Sequence, residues 1–356
     1  MTATTTVDEA RLDAFMGQFV QDCGGAALVP MVIIGDKLGL YKAMAGGEPV
    51  TPAELAERTG CRERYIREWL SQQAASEYVE YDPKARTFRL PPEQELALAH
   101  DDSPAFIPGA FQLLSAMIRD EPHITERFRS GEGLGWHEHH HDLFEGTERF
   151  FRPGYLANLV DAWLPALDGV VEKLQNGGRV ADIGCGHGAS TILMAQAFPG
   201  SSFVGSDYHR ESIDTARERA REAGVTDRIR FEAADATAVD GEGYDLITMF
   251  DCLHDMGDPV GAAHHVREVI ADDGTWMIVE PAAGDNVEDN LNPVGRVYYG
   301  FSTLLCTPAS LSQEVGRALG TQAGPARIRD VVNTAGFSRF RLAAQTPFNN
   351  VYEVRP

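Results

Sequence analysis

Two segments hold residues whose types and spacing could do chemistry. The first is Val180-Ala181-Asp182-Ile183-Gly184-Cys185-Gly186-His187-Gly188-Ala189, which ends an apolar run and opens a helical one. Glycines at such a turn let the backbone bend sharply and approach a ligand, and a helix N-terminus offers it free N–H groups. Gly184, Gly186 and Ala189 also satisfy the dinucleotide pattern GxGxxA, so the loop alone leaves the ligand open. The second segment is Met249-Phe250-Asp251-Cys252-Leu253-His254-Asp255. A neutral imidazole at His254 can act as a general base near pH 7. Glu280, in Val279-Glu280-Pro281, could hold its other ring nitrogen and fix the tautomer. Asp255 can share in the chemistry or simply cap the helix that opens near Asp258-Pro259.

A third cluster is Trp136-His137-Glu138-His139-His140-His141-Asp142. Its histidines and acids suit a metal, and His137 to His141 even spell HExxH. That signature works only on a helix, and the tract follows Gly131, Gly133 and Gly135. The expectation is therefore a polar pocket rim or solvated loop, with no metal site.

The elements that position these residues follow from periodicity. Leu12, Phe15, Phe19 and Val20 recur at helical spacing, and a second apolar helix is expected over 26–43. Thr51-Pro52 with Glu54 forms a capping box that starts a helix ending near Gly60. A further helix over 62–76 carries Tyr65, Ile66, Trp69 and Leu70 on one face, and strands follow over 78–81 and 87–90. Helix, turn, helix and β-ribbon make a winged-helix pattern. Helical stretches over 106–119 and 155–167 lead to the glycine loop. Strands at 179–183, 203–206, 229–232, 245–250 and 275–280 then alternate with helices at 190–197, 210–223 and 260–270. That alternation predicts an α/β, Rossmann-like, doubly wound and mostly parallel sheet. A closing pair of strands over 337–344 and 351–354 supplies the antiparallel C-terminal edge. The expected divisions are a winged-helix domain over 1–95, a helical linker region over 96–170, and an α/β domain over 171–356.

Composition bounds the rest. The 356 residues carry a net charge of −22, with 43% hydrophobic and 24% charged residues, which is ordinary for globular proteins. The negative balance argues against a phosphate backbone as partner. Five cysteines (Cys23, Cys61, Cys185, Cys252, Cys306) form no CxxC pair, which points to reduced thiols and a cytoplasmic protein. The start, MTATTTVDEARLD, is not read as a signal peptide. The most apolar stretch, 26–35, is short and carries Pro30, so no membrane span is expected.

Asp207 ends the second strand, where a carboxylate can accept both hydroxyls of a ribose, and Asp235 follows the third. The glycine loop, Asp207, Asp235 and the strand-four loop together resemble class I S-adenosylmethionine-dependent methyltransferases. With the winged-helix pattern and Leu253-His254-Asp255, the chain more closely resembles plant-type and actinobacterial small-molecule O-methyltransferases, from about residue 30 to the end. The resemblance implies S-adenosylmethionine as cofactor and a small-molecule acceptor. It places cofactor contacts on Asp182, Gly184, Gly186 and Gly188, on Asp207 and Tyr208, on Asp235 with Ala236, and on Phe250 and Asp251. It assigns catalysis to His254, Asp255 and Glu280. It also implies a homodimer formed through the winged-helix domain, and an acceptor pocket that includes the segment of Tyr298, Tyr299 and Phe301. One departure is that Met256-Gly257 stands where a Trp and a polar residue often follow the His-Asp pair. An oxidoreductase using a nicotinamide cofactor and a winged-helix sensor are the rival readings.

Overall fold

The computed structural model describes residues 7–356. Residues 1–6, which begin the stretch judged not to be a signal peptide, lie outside the described residues. The chain divides into two compact units, one ending at Ser115 and the other covering Ala116–Pro356.

In the first unit, α1 (Glu9–Lys37) and α2 (Leu40–Ala43) precede α3 (Pro52–Thr59) and α4 (Glu63–Ala75). The ribbon β1 (Glu80–Asp82) and β2 (Thr87–Arg89) follows, then α5 (Pro92–Leu98). The capping box forms as expected: Thr51 Oγ1 accepts from Glu54 N–H, and Glu54 accepts from Thr51 N–H at 2.7 Å. Val32, Tyr41, Leu55, Ile66, Trp69, Leu70 and Phe88 make one core.

The N-terminal helices differ from the expectation. A single 29-residue helix runs through Gly24, Gly25 and Pro30, where two were expected. It is long and apolar enough to cross a membrane by length and composition, which corrects the reading that no segment was. Leu12, Phe15, Met16, Phe19 and Val20 on this helix are exposed.

The junction carries α6 (Pro108–Arg119). The second unit continues with α7 (Glu121–Ser130), α8 (Asp142–Asn158) and α9 (Val170–Gln175). The helix expected from 155 starts at Asp142 instead, because Pro153 sits within α8 rather than before a new helix. Five strands follow, with a helix between each consecutive pair except β5 and β6. In chain order these elements are β3 (Arg179–Ile183), α10 (Ala189–Ala197), β4 (Ser202–Asp207), α11 (Arg210–Glu222), β5 (Ile229–Ala233), β6 (Tyr244–Phe250), α12 (Pro259–Val269) and β7 (Ile270–Pro281). After β7 come α13 (Pro293–Phe301), α14 (Thr307–Leu311), α15 (Gly324–Thr334), β8 (Arg339–Gln345) and β9 (Asn349–Arg355).

The seven strands order β5-β4-β3-β6-β7-β9-β8. The first five run parallel, and β9 enters antiparallel between β7 and β8. Successive residues alternate between two cores on opposite sheet faces. Val180, Leu246, Met277 and Val351 join one; Ala181, Ile247, Ile278 and Tyr352 join the other. Strand order reverses between β3 and β6, and a crevice for ligand opens at the carboxyl ends of such neighbours.

Candidate active site

The glycine loop leaves β3 at this switch point. Gly184, Gly186 and Gly188 all adopt positive φ, at 74°, 52° and 77°. A Cβ at Gly188 would come within 2.7 Å of the Phe231 ring and 3.0 Å of Ala216, so the close packing of α10 admits no larger residue. At Gly186 a Cβ would meet nothing within 4 Å, which leaves this turn of backbone facing open space. No side chain caps α10, so its first-turn N–H groups remain available to a ligand.

Two carboxylates brace the loop. Asp207 Oδ2 accepts from Gly186 N–H at 3.0 Å and its Oδ1 from His209 N–H at 2.8 Å. Asp182 is wholly buried and accepts from the hydroxyls of Ser190 (2.7 Å), Thr191 (2.6 Å) and Thr248 (2.8 Å). Through these three donors the Asp182 carboxylate ties β3, β6 and α10 to one another. Within the loop, burial first and Arg219 second push His187 down to about 4, which keeps that ring uncharged.

Asp235 is exposed, and its Oδ1 accepts from Thr237 N–H (2.9 Å) and Oγ1–H (2.8 Å) in a local turn, with Ala236 half-buried beside it. Tyr208 is exposed at the end of β4.

The loop after β6 holds the reactive constellation. Leu253–Asp255 forms a single 3-10 turn after β6, and the buried His254 ring places Nδ1 2.5 Å from Oε2 of buried Glu280. Pairing of Phe250 with Val279 sets these two strand ends side by side. Burial opposes the imidazolium, but the Glu280 carboxylate overrides it and raises His254 well above the ordinary histidine range. The Cys306 thiol is a further hydrogen-bond partner of the ring.

Asp251 adopts φ +50°, a conformation uncommon outside glycine, and its N–H donates to Val279 O at 2.7 Å. Its Oδ1 accepts from Asn349 at 3.1 Å, and burial followed by Glu280 holds its pKa well above the carboxylate range. Asp255 does not cap α12; Asp258 does, accepting from Gly261 N–H at 2.8 Å. Asp255 Oδ2 instead accepts from Trp136 Nε1–H at 3.0 Å, and burial pushes its pKa up to about 6.

An aromatic wall adjoins the loop. Tyr155 lies 5.1 Å from Phe250, Trp163 6.4 Å from Phe250, and Phe150 5.8 Å from Phe301, measured between ring centroids. Tyr298 and Phe301 are buried, Tyr299 is half-buried, and Tyr298 Oη–H donates to Phe348 O at 2.8 Å.

Residues 174–316, which hold the glycine loop, Asp207, His254 and Glu280, match the family described as a methyltransferase domain. This segment is a methyltransferase domain. Residues 26–100 match an Rv2258c-like winged HTH domain, in keeping with α3, α4 and the β1–β2 ribbon. The chain is 30% identical over 146 residues, 40% of its length and 46% of the relative's, to 27-O-demethylrifamycin SV methyltransferase of Amycolatopsis mediterranei. It is 30% identical over 131 residues, 35% of its length and 53% of the relative's, to a ubiquinone biosynthesis O-methyltransferase of Actinobacillus pleuropneumoniae. The chain thus spans about half the length of these curated relatives. In fold it is similar to human N-acetylserotonin methyltransferase, solved with S-adenosylmethionine (TM-score 0.70, 17% identity, 99% of each chain). It is also similar to the mitomycin 7-O-methyltransferase MmcR (TM-score 0.69, 20% identity, 98% of this chain and all of that one).

Around the methyltransferase domain, the histidine tract takes a form the sequence only partly indicated. Trp136–Glu138 is one 3-10 turn and α8 begins at Asp142, so HExxH does not lie on a helix. His139 is buried with Nδ1 2.6 Å from Asp120. Donor atoms of His140, His141 and Asp142 fall within 4.8 Å of one another, as a cation site would require. Arg119 occupies that place, however, within 3.0 Å of both His140 ring nitrogens and 3.1 Å from Asp142, and its charge repels a metal ion. Trp136, Tyr155, Cys306 and Asn349 were not singled out from the sequence. Their relevance arises from contacts across long stretches of chain, and of these only Trp136 sat in a tract whose composition drew notice.

Proposed function

We propose that the protein is an S-adenosylmethionine-dependent methyltransferase acting on a hydroxyl oxygen of a small molecule. The observation that carries this reading is the buried His254–Glu280 pair one strand away from the glycine loop of a methyltransferase domain. The residues fit the cofactor: an open glycine turn, an uncapped helix N-terminus and a carboxylate at the end of β4 form a cradle for a nucleoside with a charged amino-acid tail. When bound, S-adenosylmethionine supplies a methyl group already activated by sulfonium charge. The chain's own work is alignment and proton removal. His254 takes the proton of the acceptor hydroxyl on the ring nitrogen not held by Glu280, where the acceptor takes the place of the Cys306 thiol, and Glu280 holds the ring orientation and stabilises the imidazolium. The aromatic wall of Phe150, Tyr155, Phe250 and Phe301 favours an apolar or aromatic acceptor.

The working form proposed is a cytoplasmic homodimer. Five free cysteines suit a reducing compartment. The exposed apolar face of α1 is a surface that a second copy would cover. DNA is not the proposed partner, because Arg64 and Arg67 of α4 are engaged by Glu68 and Glu63 on the same helix. Transfer of labelled methyl from S-adenosylmethionine to a panel of phenolic acceptors tests the function. Product formation that H254A abolishes supports the reading; wild-type activity retained in H254A ends the base assignment.

A further inference from the structure

The segment from Gly133 to Phe144 lies outside both matched families and forms a strap over the strand ends of the methyltransferase domain. It is braced along its length. Leu134 N–H donates to Pro308 O at 2.9 Å, and a Cβ at Gly133 would strike the backbone of Ser312 at 2.0 Å, so the strap lies against the end of α14. Gly135 N–H donates to Glu138 at 2.7 Å, and His139 is tied to Asp120. Further along, the Phe144 ring stacks on His209, 4.3 Å between centroids, and the His209 N–H is one of the two donors that hold Asp207.

From this strap the Trp136 indole reaches Asp255, 119 residues on in the chain, and 5.7 Å separates its ring from Phe144. Asp255 immediately follows His254, and its own backbone carbonyl accepts from Gln313 at 3.2 Å. We propose that Trp136 is a positioning residue of the transfer site: its indole N–H fixes the Asp255 carboxylate and thereby the short turn that carries His254. The inference rests on the methyl-transfer reading of the site. The strap is held at Pro308 and Asp120. The backbone of the turn is held by Gly320 N–H, which donates to His254 O at 3.1 Å, and by Ser310, which donates to Met256 O at 2.8 Å. The Trp136 indole adds the side-chain tie to the Asp255 carboxylate. The groups facing Asp255 are His254, which favours its charged form, and Glu280 and Asp207, which disfavour it. Tyr208, Asp251, Cys252 and Cys306 also sense its charge. A charge-assisted donor is therefore what an otherwise crowded carboxylate needs. The sequence departure at Met256-Gly257 gains a meaning here, since an indole is supplied from the strap instead of the residue after the His-Asp pair.

The test uses full-length protein labelled with ¹⁵N-tryptophan. The Trp136 indole signal is the one missing from W136F, whose phenyl ring keeps the packing but not the donor. Its proton shift is expected to titrate with a midpoint about 6, and D255N is expected to flatten that titration. Positioning is read separately from the downfield Nδ1 proton of His254, identified by its loss in E280Q. W136F should move this signal while the corresponding His139 proton, lost in D120N, stays in place. An indole signal indifferent to D255N, or a His254 proton unmoved in W136F, overturns the proposal. S-adenosylhomocysteine binding is measured alongside by calorimetry. Loss of binding in the wild type would fault the methyl-transfer reading itself, and the two signals would still report on the tie.

Discussion

Nδ1 of His254 and Oε2 of Glu280 lie 2.5 Å apart, brought together by the ends of two adjacent parallel strands, β6 and β7. The pair is buried, so neither charge is screened by solvent. That contact raises the pKa of His254 despite the burial that opposes it.

The pH dependence of transfer follows from the sign of that shift. A base must be unprotonated, and His254 loses its proton only above the ordinary histidine range. Activity should therefore rise with pH through an apparent pKa above that range. E280Q removes the cause, so its limb should move toward acid while the maximal rate falls. H254A should lower the rate about 10²- to 10⁴-fold and erase the limb. Steady-state rates across pH, with S-adenosylhomocysteine affinity measured in parallel, check all three.

The glycine loop allows a contrast between two similar substitutions. Gly188→Ala drives a methyl into Phe231 and Ala216 at a positive φ, and should cost about 2–4 kcal/mol from overpacking and backbone strain together. Gly186→Ala meets no atom of the protein, so it should cost only about 1–2 kcal/mol of left-handed strain. Because its methyl would enter the open side of the turn, Gly186→Ala should nevertheless weaken cofactor binding. Urea unfolding and calorimetry separate the two effects.

Asp182 should behave as a structural group. Asp182→Ala strands the buried hydroxyls of Ser190, Thr191 and Thr248. A loss of about 2–4 kcal/mol is expected in chemical denaturation. If Asp182→Ala left stability untouched and reduced cofactor affinity alone, its assignment as a brace would be wrong.

The apolar face of α1 makes the dimer testable. Replacing Phe15 and Phe19 by Glu should convert a dimer to monomers in light scattering after size exclusion. A wild-type protein that is already monomeric at micromolar concentration contradicts the proposed assembly.

Much of this architecture was legible in the sequence because it is local. Strand β3 was read at its observed bounds, and β4, β5 and β6 within a residue at either end, since short apolar runs between helices leave little choice in a parallel sheet. The pairing of His254 with Glu280 could also be anticipated, because it needs only that neighbouring strands end at the same height. Two helix starts were misplaced: α1 runs unbroken through Gly24 and Gly25 where two helices were expected, and Pro153 lies inside α8 rather than before a helix starting at 155. Asp182 sits in the motif but faces hydroxyls from α10 and β6, a fact set by packing and not by spacing. The strap was the least readable part. Trp136 meets Asp255 and His139 meets Asp120 through contacts that leave no periodic mark on the chain.

The most direct measurement of the central claim is calorimetric titration of the purified protein with S-adenosylmethionine and S-adenosylhomocysteine, with NAD⁺ as control. Micromolar binding of the first two, about 8 kcal/mol, and none of NAD⁺ is the expected result. Folded protein that ignores both sulfur ligands, or that binds NAD⁺ in their place, would contradict the methyltransferase reading.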